Sequence, residues 1–202
     1  MEFRPTRFAD VERIRALSGQ DKVPVIEDGD RVVHDSWNIA MYLEDRFPGH
    51  PSLFGGAAGG GLTRTLNIWA DTVLAPAVRP LIHADFIYCL APEDRDYFRR
   101  SREAAAGCTL EEFCSDRPSA MAAFQRAIAP LELVLTEQAW LAGAAPAYAD
   151  YLVFSIFQYA RLGSPRELLP EASSIRRWRD ALSQQYDGLG DRYPGYPTEA
   201  FR

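Results

Sequence analysis

The stretch from Lys22 to Pro48, KVPVIEDGDRVVHDSWNIAMYLEDRFP, constrains the fold more than any other part of the chain. Val23-Pro24-Val25-Ile26 is a short run rich in β-branched residues, Asp28-Gly29 is a hairpin turn signal, and Arg31-Val32-Val33-His34 is a second short strand. Asp35-Ser36 then opens a helix, with Ser36 the expected N-cap. Ile39, Ala40, Leu43 and Phe47 share one face of it, and Pro48 stops it. The spacing predicts strand, tight turn, antiparallel strand and helix, with a polar pair where the second strand feeds the helix. The first N–H groups of a helix lack internal partners and carry partial positive charge, so a carboxylate is welcome there, and an acid beside it suits an ammonium group. Asp35 and Ser36 would therefore fit a ligand bearing both groups on one carbon. They would equally serve as a plain cap, because acid–Ser pairs are common at helix starts.

The totals narrow the class. A chain of 202 residues can bury a sizeable core in one or two domains. Its net charge of −6 argues against a nucleic-acid partner. Cys89, Cys108 and Cys114 are odd in number and lack metal-ligand spacing, which points to free thiols in a reducing compartment. His34, His50 and His83 are scattered, so no metal site is expected. No apolar run approaches membrane-spanning length and the start, MEFRPTRFAD, lacks a signal-peptide core. The expectation is a cytoplasmic protein without a membrane anchor.

Along the chain, Glu2 to Phe8 reads as a weak strand broken by Pro5, and Asp10 as the cap of a short helix carrying Val11, Ile14 and Leu17. After the anchor stretch, residues 51–61 hold five glycines and read as a linker; no Lys-Ser/Thr follows them, which argues against a phosphate loop. Beyond Gly61 helical periodicity takes over. Leu62 to about Leu90 reads as one long helical stretch that Pro76 and Pro80 should kink. Thr109-Leu110-Glu111-Glu112 and Ser164-Pro165-Arg166-Glu167 are capping-box patterns. Pro118 opens a helix towards Glu137, Ser173 or Ser174 opens another, and the tail from Gly190 is turn-like.

The ordered set Val-Pro-Val, Asp-Gly, acid-Ser, Ile-Ala-x-Tyr-Leu and Phe-Pro resembles the second half of the thioredoxin-like domain of glutathione transferases. A second resemblance lies at Trp140 to Phe157, WLAGAAPAYADYLVFSIF, where Gly143, Pro146, Ala149 and Asp150 match the Ser/Thr-x-x-Asp entry to the central helix of that family's helical domain. Ala147 departs from it, leaving Asp150 to hold the turn without the usual hydroxyl cap, worth about 1 kcal/mol. Leu53-Phe54-Gly55-Gly56 and ADYLVFSIFQYARL look most like bacterial members near the glutathione-dependent β-etherases.

The resemblance implies an α+β chain: a shortened thioredoxin-like α/β domain over residues 1–50, a linker over 51–61 and an all-helical domain over 62–202. It implies a cis bond before Pro24, the backbone of Val23 paired with the cysteinyl part of glutathione, and the γ-glutamyl end held by Asp35 and Ser36. Phe86 and Tyr88 are the candidates for the wall of an apolar second-substrate pocket. The implied activity is transfer of the glutathione thiolate to a small electrophile, a detoxification-type reaction, with glutathione as co-substrate and a homodimer as the usual assembly. Family members carry a strand and helix ahead of the one matching Glu2 to Thr6, together with the Tyr, Ser or Cys that activates the thiol. No residue here matches that place, so the catalytic residue is left unassigned. Either Met1 is an internal methionine taken as the start, or the protein is a shortened member. The alternative function is a glutathione-binding or protein-interaction module without catalysis.

Overall fold

The computed structural model describes residues 2–192; the readings of Met1 and of the tail from Tyr193 onward fall outside that range. In chain order the elements are α1 (Val11–Ser18), β1 (Val25–Asp28), β2 (Arg31–His34), α2 (Ser36–Arg46), α3 (Ala57–Trp69), α4 (Ala75–Phe86), α5 (Pro92–Ala106), α6 (Leu110–Phe113), α7 (Arg117–Glu137), α8 (Tyr148–Gly163) and α9 (Ser174–Ser183). Thus a small thioredoxin-like unit of sheet and helix precedes a helical domain, as expected.

β1 and β2 pair antiparallel, Val25 opposite His34 and Asp28 opposite Arg31, about a turn in which Gly29 takes φ 59°. Asp28 ties the hairpin to α2, accepting from the Tyr42 hydroxyl at 2.5 Å and from Arg46 at 3.3 Å. The expected strand over Glu2 to Phe8 is absent. Among the described residues the sheet has two strands, and this segment pairs with neither. Its end is held by the helical domain instead: Arg7 pairs with Glu93 and Asp94, and Phe8 packs on Tyr97 and Phe98.

Two helix starts differ from expectation. α3 begins at Ala57, inside the glycine stretch, because Gly59 lets its backbone pass against the Phe54 carbonyl; a Cβ there would lie 1.8 Å from that oxygen. Gly59→Ala should therefore cost about 1–3 kcal/mol through forced backbone movement. Gly61→Ala, which meets open space, should be stabilising by about 0.5–1 kcal/mol. Thermal unfolding of the two variants checks this opposition in sign. The other difference is Ser164 to Glu167, which opens no helix. Ser164 Oγ donates to Asp85 at 2.6 Å, and Glu167 bonds the Leu169 N–H and Arg179, so neither side chain is left to close a capping box. The Thr109–Glu112 box does form.

The long helical stretch is divided at Pro76. That residue has no N–H to continue the ladder, and a wide π turn, Ala70–Leu74, joins α3 to α4, with the Ala75 N–H reaching back to the Ala70 carbonyl. The core gathers Leu74, Val78 and Ile82, Phe124, Ile128 and Leu135 of α7, Val153 and Phe157 of α8, and Ile175, Trp178 and Leu182 of α9. Glu132 docks α9 on α7 by accepting from Ser173 Oγ and the Ser174 and Ile175 N–H groups. No helix among the described residues is long and apolar enough to cross a membrane.

His83 is 4% exposed, with the Tyr159 hydroxyl 3.1 Å from Nε2 and the Phe98 ring alongside. Burial, helped by the charges of Arg102 and Arg79, lowers its pKa to about 4. Between that value and the ordinary 6.5 the unfolded chain binds a proton that the folded chain does not, so acidification is destabilising. About 3 kcal/mol should be lost as pH falls from 7 to 4. His83→Phe should flatten that part of a stability–pH curve measured by urea unfolding.

Candidate functional site

The hairpin brings the candidate residues to one end. Val25 opposite His34 is the last pair of the ladder, so Pro24 and Asp35 are the residues that leave the two strands at that end. The Val23–Pro24 peptide bond is cis, and Val23 is 61% exposed. Asp35, rather than Ser36, is the N-cap: its Oδ1 accepts from the Asn38 N–H at 3.1 Å, and its backbone takes φ 71° and ψ 128°. That left-handed φ is costly for a residue with a side chain and puts Ser36, exposed, at the first helical position. The sequence pattern misses this shift because both residues are good caps and nothing in Asp35 announces a positive φ.

Tyr148, the first residue of α8, stands near Ser36. Burial pushes the Tyr148 pKa up, and the Ser36 hydroxyl nearby pulls it partly back. Here the two parts of the chain are riveted by rings. Trp37 packs on Phe54 at 5.2 Å and on Tyr148 at 6.0 Å, Phe54 on Tyr148 at 5.5 Å, and Arg64 lies 4.9 Å over Trp37. The Tyr148 N–H also donates to the Leu53 carbonyl at 2.9 Å.

Ser36 opens onto a cavity of about 210 Å³ whose other walls are Asn67, Ala70 and Asp71 of α3 and its π turn, and Tyr148, Tyr151, Leu152, Ser155 and Ile156 of α8. Tyr151 is braced by the Tyr186 hydroxyl at 3.1 Å, and burial raises its pKa. The cavity has an apolar side (Ala70, Leu152, Ile156) and a polar side bearing hydroxyls, an amide and a carboxylate, which suits a small ligand of mixed character. Phe86 and Tyr88 do not line it. Phe86 stacks on Phe98 at 5.1 Å and touches Tyr159 at 4.8 Å, and Tyr88 is 47% exposed in the turn after α4. Asn67, Asp71 and Tyr148 carried no sequence motif, since their meeting depends on α3 packing against α8.

Two of the thiols, Cys89 and Cys114, are poor nucleophiles by their surroundings. Burial pushes Cys89 up to about 11, and it also raises Cys114.

Hairpin, cis-Pro, helix-start hydroxyl and interdomain cavity together define a glutathione transferase-type fold. Residues 61–187 match the family described as glutathione S-transferase, C-terminal domain, and residues 1–51 match glutathione S-transferase, N-terminal domain. The chain belongs to the glutathione S-transferase family. Its fold is similar to that of glutathione transferase GSTFuA3 from Phanerochaete chrysosporium, with 22% identity, TM-score 0.78, and 90% of this chain and 82% of that one covered. The glutathione S-transferase of Ceriporiopsis subvermispora in complex with glutathione matches at 20% identity, TM-score 0.66, covering 96% and 84%. The theta class enzyme of Xanthomonas axonopodis pv. citri with glutathione bound matches at 24%, TM-score 0.62, covering 94% and 79%.

Proposed function

We propose that this chain binds glutathione at the hairpin–helix junction and transfers its thiolate to a small electrophile. The tripeptide backbone lies along Val23-Pro24, and its γ-glutamyl carboxylate meets Ser36 and the free N–H groups at the start of α2. The observation that carries this reading is the exposed hydroxyl of Ser36 at the first turn of a helix, beside a cis-Pro and at the mouth of a cavity. The two bound-glutathione neighbours support it by fold. The electrophile is taken to be small because the cavity holds about 210 Å³. We further propose a cytoplasmic homodimer.

Retention on immobilised glutathione with elution by free glutathione tests the binding half. A conjugation assay with a chlorodinitrobenzene electrophile, run on the eluted protein, tests the transfer half. Retention with turnover is the expected result. Retention without turnover would make the chain a binder, and failure to be retained would remove both halves.

A further inference from the structure

We propose that the end of α8, the loop after it and α9 form a second binding site, for a small organic anion: an oxyanion group carried on an apolar body. The site is a cavity of about 210 Å³ lined by Phe157, Ala160 and Arg161 of α8, residues 164–168 of the loop, and Arg179 of α9. It shares no lining residue with the cavity that Ser36 opens onto, so its occupant is independent of the glutathione reading. The loop owes its shape to the failed helix start. Ser164 Oγ is drawn to Asp85 of α4, and Glu167 to the Leu169 N–H and to Arg179. The segment stays non-helical, with Pro165 and Arg166 exposed while Ser164 and Leu168 are buried. The cavity therefore reaches the surface at Pro165 and Arg166.

The charge of the lining says what kind of ligand. Three guanidinium groups, Arg161, Arg166 and Arg179, stand beside one carboxylate, Glu167. Arg179 is 9% exposed and is clamped by Glu167 and Asp180, both at 2.9 Å, so it acts as a fixed charge. Arg161 is held by Gln158 Oε1 at 2.6 Å and by the Gly190 carbonyl at 2.8 Å. Arg166 differs from both. Its side chain is 56% exposed, its pairing with Asp85 is 3.7 Å long, and its guanidinium donates no hydrogen bond among the described residues. That leaves a planar fork ready to take an oxyanion in two parallel hydrogen bonds.

The last carbonyls of α8 oppose an anion, and Arg161 in its final turn offsets them. Burial and the charge of Arg166 lower the Arg117 pKa, so a fourth cation stands close by. The rest of the wall is apolar: Phe157, Ala160 and Leu168 are buried side chains. A bare inorganic anion would leave that wall uncovered, whereas a ring or short chain would pack on it. The anionic group has two possible sources, a carboxylate or a phosphate monoester.

Titration of the full chain followed by amide NMR shifts reads both place and affinity. The probes are benzoate, phenyl phosphate, inorganic phosphate and benzyl alcohol. At least one of the two aryl anions should bind with a Kd on the order of 1 mM, usual for ligands of that size, and move the amides of residues 160–168. The tighter of the two names the source. Arg166→Gln should weaken that probe about tenfold, and Arg166→Lys, which keeps the charge but loses the fork, should weaken it less. Arg126→Gln, at an exposed arginine of α7 outside the lining, should leave it unchanged. Four results would overturn the proposal: no binding of either aryl anion, shifts confined to the Ser36 cavity, equal affinity in wild type and Arg166→Gln, or benzyl alcohol binding as tightly as benzoate. Inorganic phosphate binding as tightly as the aryl anions would do so as well, because the apolar wall would then have no part.

Discussion

Replacing Asp150 with alanine should lower the unfolding temperature by about 10–15 °C, the largest stability effect expected from one side chain outside the apolar core. Asp150 is 0% exposed. Its Oδ1 accepts from the Leu141 N–H at 2.7 Å and from Trp178 Nε1 at 2.8 Å; Oδ2 accepts from the Ala142 and Ala147 N–H groups, both at 3.1 Å. One carboxylate therefore closes the loop ahead of α8, caps the helix and pins α9 through Trp178. Truncation strands four donors in the interior, each worth about 1–3 kcal/mol when unpaired, and the total falls short of their sum because the loop can relax. Asp150→Asn should lie between alanine and wild type, since one of its two polar atoms would face donors as a donor. Differential scanning fluorimetry reads the series. A shift under about 3 °C for the alanine variant would show that the loop finds other acceptors.

The second large effect concerns binding. Ser36→Ala should weaken glutathione about 10- to 100-fold, the range for losing a hydrogen bond to a charged group. Stability should change little, because Ser36 is exposed and the cap of α2 is the Asp35 carboxylate. Ser36→Thr, which keeps the hydroxyl, should retain most of the affinity. Titration calorimetry beside a melting curve separates loss of contact from loss of fold. Equal affinity in wild type and alanine variant would place the ligand elsewhere.

Much of this site was legible because its determinants are local. Asp28-Gly29 marks the turn, the alternation around it sets the strands, and the acid-Ser pair followed by Ile39, Ala40 and Leu43 marks the helix. Asp150 was legible too, through the Gly143–Asp150 pattern, even though Ala147 lacks the hydroxyl such turns use. What escaped was set by distance in sequence. Trp37, Phe54 and Tyr148 meet only after the chain has folded back on itself, so Phe54 reads in isolation as a linker residue. That Phe86 stands away from the cavity beside Ser36 was not legible, because an aromatic side chain on a helix gives no sign of which neighbour it will meet. It turns to Phe98 and Tyr159. The Ser164–Glu167 pattern failed for the same reason, its side chains being drawn off by Asp85 and Arg179 from other elements.

The claim at the centre is that the glutamyl α-carboxylate of glutathione docks on the Ser36 hydroxyl at the start of α2. A thermodynamic cycle tests it most directly, measuring affinities of wild type and Ser36→Ala for glutathione and for glutathione amidated at that carboxylate. The account predicts coupling: amidation weakens wild-type binding about tenfold or more and leaves the alanine variant nearly unchanged. Losses that simply multiply, with amidation weakening both proteins alike, would contradict it.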